Sequence, residues 1–335
     1  MANTILGLDI GGGTLKMAAV GNGRVQKLAA MDLSDNLVRQ HHVTSAEALA
    51  QELLHTMREN RISAGKCALV LPPEAAIVRR ISMPYMTVEQ LKVNLPYEFH
   101  DYIQNDKNLY FYDYAVVDTC VDESGAPQKL ELLAAAARKD VVAEYRRLLR
   151  RAGLKLVIAV PEYLTIRNLI RAYESTHPEH PAEYCVVDMG HTAIRMHMYR
   201  GAVYDTTRVI EYGGGSIDAL IADAVSVDPH LAADYKRVNY EGAQELPACR
   251  DLYARIAVEI LRAVNFYGFN TPNSDLRDIY FGGGLARVAA LMEEIRGSLD
   301  LRIHSVEELL PEGAADDAAV LCSAAVGAAL QSLGR

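Results

Sequence analysis

The sequence predicts an α/β protein made of two related halves, and three observations carry this prediction. The chain has 335 residues, more than one hydrophobic core usually serves, so two domains are expected. A segment with the pattern strand, glycine turn, strand occurs at residues 8–16 and again at 187–195. Strand patterns and amphipathic helix patterns follow one another along the rest of the chain.

The repeated segment predicts an anion-binding site. Each copy ends an apolar strand in an aspartate, turns through glycine and threonine, and leaves toward a basic residue. Glycines let backbone amides approach an anion, and a divalent cation between aspartate and phosphate would prevent repulsion, which favours a Mg-nucleotide clamp. A tight hairpin without a ligand is the alternative for either copy alone. The residues are Asp9, Gly11, Gly12, Gly13, Thr14 and Lys16 in the first copy, and Asp188, Gly190 and Thr192 in the second, which leads toward the basic residue Arg195.

Bulk composition argues against several classes of function. The formal net charge of -9 and the pI near 5.6 argue against a general nucleic-acid binder. The five cysteines form no CxxC motif and the ten histidines show no HExxH spacing, so we expect reduced thiols in a cytosolic protein and no transition-metal site. The turn at residues 11–13 leads into a strand rather than a helix, which excludes a Rossmann site, and the Walker pattern is absent.

Two further stretches decide whether the sequence predicts a signal peptide or a transmembrane helix. The N-terminus lacks the basic region of a signal peptide, and its apolar run is interrupted by Asp9. The longest apolar stretch, residues 318–330, is too short to span a bilayer and predicts a buried helix. We therefore expect any membrane role to run through a partner.

The first half of the chain contains a strand-rich start, a helix, a further strand and then a separate small unit. Its predicted elements are strands at 4–8, 15–20 and 25–30, a helix at 45–60 and a strand at 67–71. Pro72 and Pro73 begin the small unit. Within it, Thr87 opens a helix through a capping box, and Pro96 is expected to kink or restart that helix. The unit's other elements are strands at 76–82, 111–117 and 130–135 and a helix at 141–151.

The second half mirrors the first. A strand at 157–160 and a helix at 162–174 link the halves. Ser216 is expected to cap the first helix of a mainly helical span at 217–272. The remaining predicted elements are strands at 184–188, 194–199, 203–210 and 278–281 and, after a triple-glycine turn, a helix at 285–299.

Taken in this order, the elements resemble the actin-like ATPase superfamily and, within it, the PilM family of type IV pilus assembly proteins, which is related to the cell-division protein FtsA. The resemblance covers nearly the whole chain. Its most specific part is the small unit, because FtsA-like proteins carry a subdomain inserted there. The residues that carry the resemblance are 80–84, 86–87, Leu91, Glu98, 102–103 and 112–114, and residues 259–267 are similar to the family's late helix.

The resemblance implies an actin-like ATPase fold, with duplicated ribonuclease-H-like lobes and an FtsA/PilM-type inserted subdomain. The lobes would be assembled from separate stretches of the chain. These are the first part of the first lobe at 1–71, the inserted small α+β subdomain at 72–150, the linking helix region with a first-lobe strand at 151–180, the second lobe at 181–310 with a helical subdomain at about 217–272, and a C-terminal helix returning to the first lobe at 311–335.

The resemblance also implies binding of ATP and Mg²⁺ between the two glycine turns. Asp9 and Asp188 would hold Mg²⁺, largely through water, and Lys16 would meet the β- and γ-phosphates. Glu162 is the candidate catalytic residue, because it opens the linking helix where related chaperones keep a carboxylate near the metal. A favourable anion in the first helical turn is the alternative for Glu162.

A second group of residues is implied for the nucleoside. Gly282, Gly283 and Gly284 would let backbone lie against the adenosine, and Lys236 belongs to the helix that touches the ribose in the family.

Three residues depart from the family pattern and weaken the enzymatic interpretation. His191 puts a ring in the second turn, and Arg195 replaces a residue that is usually small or hydroxyl-bearing. Ala233 stands where the family has a glutamate toward the ribose. We therefore expect weak nucleotide binding with little turnover.

The function implied by the resemblance is that of a scaffold. Such a protein binds the cytoplasmic tail of a PilN-like membrane protein and other pilus platform proteins, with no nucleic acid and no direct membrane insertion. It would lie in the cytoplasm, peripheral to the inner face of the cell membrane. The peptide groove is expected between the first lobe and the small unit, with apolar residues of the small unit lining it, although the same residues would also suit that unit's core. They are Ile81, Met83, Tyr85, Met86, Leu91 and Tyr102, with Leu95 nearby.

Two other functions stay open at this point. One is a small-molecule kinase of the actin and hexokinase superfamily, although the sequence shows no aspartate in a sugar-kinase setting. The other is a filament-forming ATPase like FtsA.

Overall fold

Two five-stranded sheets of the same design form the framework of the protein, in a computed structural model that describes residues 4–34, 37–39, 42–104 and 106–333. With strands numbered along the chain, the first sheet consists of β1 (Ile5–Ile10), β2 (Thr14–Gly21), β3 (Arg24–Asp32), β6 (Lys66–Leu71) and β10 (Lys155–Pro161). Their order is β10-β6-β1-β2-β3. The strands β1, β2 and β3 form an antiparallel meander, whereas β6 and β10 run parallel to β1.

The second sheet repeats this design. It consists of β11 (Glu183–Met189), β12 (Ile194–Arg200), β13 (Val203–Ile210), β14 (Asp278–Gly282) and β15 (Arg302–Ser305). Its order is β13-β12-β11-β14-β15, which is the first sheet read from the other edge. An antiparallel meander is again followed by two parallel strands. The predicted duplication is therefore present in the strand order as well as in the sequence.

A small third sheet follows the first half of the first lobe. Its strands are β7 (Ala76–Pro84), β8 (Tyr110–Val121) and β9 (Pro127–Arg138), in the order β7-β9-β8. The predicted capping box is confirmed, since the Gln90 amide donates to Thr87 Oγ1 and the Thr87 amide donates to Gln90 Oε1. The helix ends before Pro96, which lies in a separate 3₁₀ turn, as expected. A two-stranded ribbon of β4 (Val38–Arg39) and β5 (His42–Val43) lies before the first helix.

Helices cover the sheets and connect the lobes. None of those in the described ranges combines the length and the apolar composition that a bilayer crossing requires. Their bounds are α1 (Ala46–Glu59), α2 (Val88–Asn94), α3 (Lys139–Arg151), α4 (Glu162–Thr176), α5 (Gly214–Val225), α6 (Pro229–Val238), α7 (Pro247–Asn270), α8 (Ala289–Ser298) and α9 (Ser323–Leu333).

Three predicted helix starts are wrong. The helix expected to be capped by Ser216 begins at Gly214, because the carbonyls of Gly190 and His191 accept from the first helical amides and no side-chain cap is needed. The helix expected at 285–299 begins as a 3₁₀ turn, and α8 starts only after the extended residue Val288. The stretch 318–330 is likewise divided into a 3₁₀ turn and α9.

Helix α9 packs closely on the first sheet and on α4, and α4 also contacts β13 of the second sheet. A Cβ atom at Gly7 of β1 would overlap the carbonyl oxygen of Ala325, and one at Gly327 would overlap the carbonyl oxygen of Thr165 on α4. The Asn168 amide donates to the Gly327 carbonyl at 2.9 Å. One buried cluster therefore contains side chains of both sheets together with α4 and α9, so the lobes share part of their core.

We expect Gly327→Ala to lower the free energy of unfolding by about 1–3 kcal/mol, because the methyl group forces two helix backbones apart. Urea unfolding measures the change. Gly268→Ala is the matched control, since Gly268 also lies in a helix but has nothing within 4 Å of the added methyl group. That control should leave stability unchanged or raise it by up to about 1 kcal/mol. Equal stability for both variants would contradict the packing argument.

Candidate functional site

A cleft of about 910 Å³ lies between the two sheets, and both glycine turns open into it. It receives residues from both lobes, which places the two repeated segments opposite each other. The predicted site residues that line the cleft are Asp9, Gly11, Gly12, Gly13, Thr14, Lys16, Glu162, Asp188, Gly190, Thr192, Lys236 and Gly284.

The two turns approach each other closely. A Cβ atom at Gly12 would lie 3.8 Å from Thr192 Cγ2, and one at Gly13 would lie 3.6 Å from the His191 ring. Within the described ranges, the amides of Gly12, Gly13, His191 and Thr192 donate to no acceptor. These amides are therefore available to an anion bound between the turns.

The first hairpin contains a tight, largely buried ion pair. Asp9 lies directly opposite Lys16 in the β1–β2 ladder, and the Lys16 ammonium donates to Asp9 Oδ2 at 2.9 Å. Burial works against the charge of Lys16, but Asp9 and Asp188 raise its pKa well above the usual value. Lys16 is therefore a fixed positive charge that faces acidic groups of both lobes.

The second hairpin has the same register but a different pairing. Asp188 lies opposite Arg195 in the β11–β12 ladder, yet Arg195 Nε approaches Glu162 Oε2, at 3.7 Å. Asp188 makes no ion pair with any described residue. Burial, with the charges of Glu162 and Asp9, raises the pKa of Asp188 to about 6. A cation placed beside this carboxylate would stabilise its ionised form.

Glu162 is the first residue of α4, and its carboxylate is surrounded by basic groups. His197 Nε2 lies 3.6 Å from Glu162 Oε1, and Arg195 approaches the other oxygen. Burial alone would raise the pKa of Glu162, but His197, Arg195 and Lys16 lower it to about 2. The carboxylate is thus ionised, and it faces two basic groups at ion-pair distance without a hydrogen bond to either.

The other end of the cleft is built by α5 and α6. Lys236 Nζ contacts Asp218 Oδ1 at 2.6 Å and donates to the Gly214 carbonyl at 3.1 Å. Ala233 lines the cleft without a polar group, whereas the neighbouring Asp234 pairs with Arg237 and is more than half exposed. Asp234 also lines the cleft, but its carboxylate is paired with Arg237 rather than unpaired like a free ribose ligand.

All three glycines of the turn at 282–284 were expected to lie against the adenosine, but only one of them lines the cleft. Gly284 lines the cleft and has nothing within 4 Å of an added Cβ. Gly282 and Gly283 do not line it. A Cβ on them would press against Val306 and the Met189 backbone, at 2.7 and 2.6 Å, and Gly283 has a φ of +89°. These two glycines are required by packing and backbone conformation.

His191 lies where the two turns meet the start of α5. A Cβ at Gly215 would be only 3.0 Å from its Nε2 atom, so the glycines of this turn make room for the ring. The side chain is half exposed, and its Nδ1 atom is 3.9 Å from Asp218. The ring narrows the cleft beside Gly13 without filling it.

The predicted groove residues divide into two groups. Met83, Leu91 and Leu95 are buried in the core of the small subdomain and present no surface to a peptide. Ile81 and Met86 pack against that core and are partly exposed. The tyrosines Tyr85 and Tyr102 are 54% and 48% exposed. The core role of the first group follows from the sheet, whose inner face needs apolar side chains to cover it.

Two residues of the cleft network escaped the sequence reasoning. Asp218 is buried and holds Lys236, and His197 is 3% exposed and faces Glu162. His197 was detectable in principle, because it lies two residues after Arg195 and so shares its face of β12. No sequence signal marks Asp218, since its pairing with α6 exists only in the folded chain.

The cleft suits a Mg-nucleotide better than a bare ion. Among the described residues, no three or more histidine, cysteine or acidic side chains are grouped so that they could hold a metal on their own. Mg²⁺ usually keeps several waters and takes one or two carboxylates together with phosphates. Asp9 and Asp188 offer the carboxylates, and the free amides and Lys16 beside them could hold the phosphates.

Comparison with known proteins identifies the family. Residues 7–310 match the family described as Type IV pilus assembly protein PilM. A chain of a PilM-PilN type IV pilus biogenesis complex aligns with a TM-score of 0.82 and 23% identity, over 98% of both chains. The ethanolamine utilization protein EutJ from Carboxydothermus hydrogenoformans aligns with a TM-score of 0.61 and 14% identity, over 98% of this chain and 89% of that one. A search of curated protein sequences finds no significant match.

These likenesses confirm the predicted actin-like fold with its inserted subdomain. The family match spans most of the chain and includes both glycine turns as well as the small subdomain. The protein therefore belongs to the type IV pilus assembly protein PilM family.

Proposed function

We propose that this protein is a nucleotide-holding scaffold of a type IV pilus assembly platform, and that it binds the cytoplasmic tail of a PilN-like membrane protein. The family match over residues 7–310 is the observation that carries the proposal. The similarity to a chain of the PilM-PilN complex supports the choice of partner. Association with the inner face of the cell membrane, and with other platform proteins, would follow from that partner.

The residues that line the cleft support the proposal that the bound nucleotide is ATP with Mg²⁺. The amides of Gly12 and Gly13 and the Lys16 ammonium would bind phosphate, and Asp9 and Asp188 would hold Mg²⁺ through water. Mg²⁺ would supply positive charge that neutralises the phosphates. Gly284 and Lys236 line the part of the cleft that would receive the nucleoside.

The same geometry supports binding of a nucleotide without its rapid hydrolysis. Both oxygens of Glu162 face His197 or Arg195, at 3.6 and 3.7 Å. A carboxylate whose pKa is lowered by such neighbouring charges is a poor general base. Family membership also favours a scaffold over a small-molecule kinase or a filament-forming ATPase.

The small subdomain supports the peptide-binding role. Nine of the nineteen large hydrophobic side chains that are exposed in the described part of the chain lie between residues 85 and 121. Such a concentration is typical of an interaction surface. Tyr85 and Tyr102, with the partly exposed Ile81 and Met86, are the members of the predicted groove that a peptide could contact.

We expect Lys16→Met to weaken MgATP binding at least about tenfold, because a charged hydrogen bond to phosphate is lost. Isothermal titration calorimetry on the folded variant measures the effect. Lys27→Met on the exposed edge of β3 is the control and should bind like the parent protein. Unchanged affinity in Lys16→Met would exclude the first turn as the phosphate site.

We expect Asp188→Asn to be more stable than the parent at pH 7.5 and to lose the Mg²⁺ dependence of nucleotide binding. The raised pKa means that the folded state binds this proton more strongly than the unfolded state does. The resulting stabilisation is complete below about pH 4 and is lost as pH rises through about 6. Urea unfolding should therefore show a gain of about 1–2 kcal/mol at pH 7.5 that shrinks toward pH 4.

Asp9→Asn is the contrasting variant for that measurement. It removes the 2.9 Å partner of the buried Lys16 ammonium and should lower stability at pH 7.5. If both asparagine variants lose stability equally, the two aspartates do not differ as the structure indicates.

We expect Tyr102→Ala and Tyr85→Ala each to weaken binding of a PilN-tail peptide by about tenfold, since exposed aromatic side chains supply much of the contact area at peptide interfaces. Fluorescence anisotropy with a labelled peptide measures the affinity. Tyr240→Ala is a matched control on the second lobe, because Tyr240 is 47% exposed against 48% for Tyr102. Full affinity in both test variants would place the peptide elsewhere.

A further inference from the structure

The duplication places a second cation at the position of Lys16. Lys16 lies opposite Asp9 in the first hairpin, and Arg195 lies opposite Asp188 in the second. Both side chains line the cleft. Because the hairpins face each other across one cleft, the two cations approach it from opposite lobes.

Arg195 differs from the other buried cations of the cleft in its hydrogen bonding. The side chains of Lys16, Lys236 and Arg195 are 16%, 13% and 14% exposed. Lys16 donates to Asp9 Oδ2 at 2.9 Å, and Lys236 donates to the Gly214 carbonyl at 3.1 Å. Arg195 has no hydrogen-bond acceptor among the residues that the structure describes, and its nearest carboxylate, Glu162, lies 3.7 Å away.

A guanidinium group with unused donors points to an absent acceptor. Arginine presents five N–H donors in a planar fork that matches the oxygens of a phosphate. No Arg195 nitrogen is among the buried side-chain atoms without a partner, so its donors are open to the cleft. An anion that enters the cleft can therefore reach them.

The neighbouring charges decide which anion fits. Glu162 and Asp188 flank Arg195, so a carboxylate ligand would add negative charge without bringing a cation of its own. A nucleotide phosphate would bring Mg²⁺ with it, which offsets the charge of Asp188. Lys16 would meet the β- and γ-phosphates from the first lobe, so a cation on the facing lobe adds a second contact to the outermost phosphate.

We propose that Arg195 binds the terminal phosphate of a nucleoside triphosphate and thereby makes the protein distinguish ATP from ADP. The inference rests on the proposed nucleotide site and adds a specificity residue to it. Arg195 moves from its long contact with Glu162 onto phosphate oxygens when ATP is bound. ADP lacks this phosphate and leaves Arg195 beside Glu162.

The test compares ATP with ADP on the purified full chain, by calorimetry in the presence of MgCl₂. The parent protein should bind ATP at least about tenfold more tightly than ADP, and Arg195→Ser should remove that preference while changing the ADP affinity less than about threefold. Arg195→Lys keeps the charge without the fork and should retain part of the preference. Arg200→Ser is the matched control, since Arg200 lies on the same strand but is half exposed and pairs with Asp205.

The outcomes separate the two proposals. If the parent protein binds neither nucleotide, the proposed nucleotide site fails and this inference fails with it. If the parent protein binds both equally, or if Arg195→Ser weakens both equally, the nucleotide site stands and the role of Arg195 is wrong. If Arg195→Ser does not fold, full ATP preference in Arg195→Lys shows that the fork is not required and overturns the proposal as well.

Discussion

The contact between α4 and α9 sets the position of both glycine turns. Helix α4 begins with Glu162 in the cleft, and α9 packs on β1, the strand that ends in the first turn. The two backbones meet at Gly327 with no room for a methyl group, which fixes their distance. Because side chains of both sheets share the core around these helices, the facing of the two hairpins is a consequence of this packing.

The duplicated hairpins have unequal electrostatics although their register is the same. In the first, the cation neutralises its own aspartate. In the second, Arg195 is drawn toward Glu162, and Asp188 keeps an uncompensated charge that burial makes unfavourable. The first lobe therefore presents a close ion pair to the cleft. The second lobe presents the Asp188 carboxylate and the Arg195 guanidinium, and neither has a hydrogen-bonded partner among the described residues. A Mg-nucleotide would satisfy both of these groups.

Much of the fold could be predicted from the sequence because its signals are local. The hairpins, the capping box at Thr87 and the linking helix depend on neighbouring residues, and the structure has them where the patterns indicated. The start of α5 could not be predicted in this way, since its caps are carbonyls of the second turn. Met83 and Leu91 show the same limit, because an apolar side chain looks alike in sequence whether its own subdomain or a partner covers it. The pairing of Asp218 with Lys236 also depends on distant elements.

The small subdomain is not attached to the first lobe alone. Arg80 on β7 lies 3.7 Å from Asp205 on β13, which also accepts from Tyr267 of the second lobe. Any movement that widens the cleft must therefore carry this contact along or break it. Arg80 is more than a third exposed, so the ion pair contributes at most about 1 kcal/mol and cannot hold the lobes closed by itself. The lobes are held by the shared core. The contact at Asp205 links the small subdomain to β13, the strand that pairs with β12 and its two basic residues, Arg195 and His197.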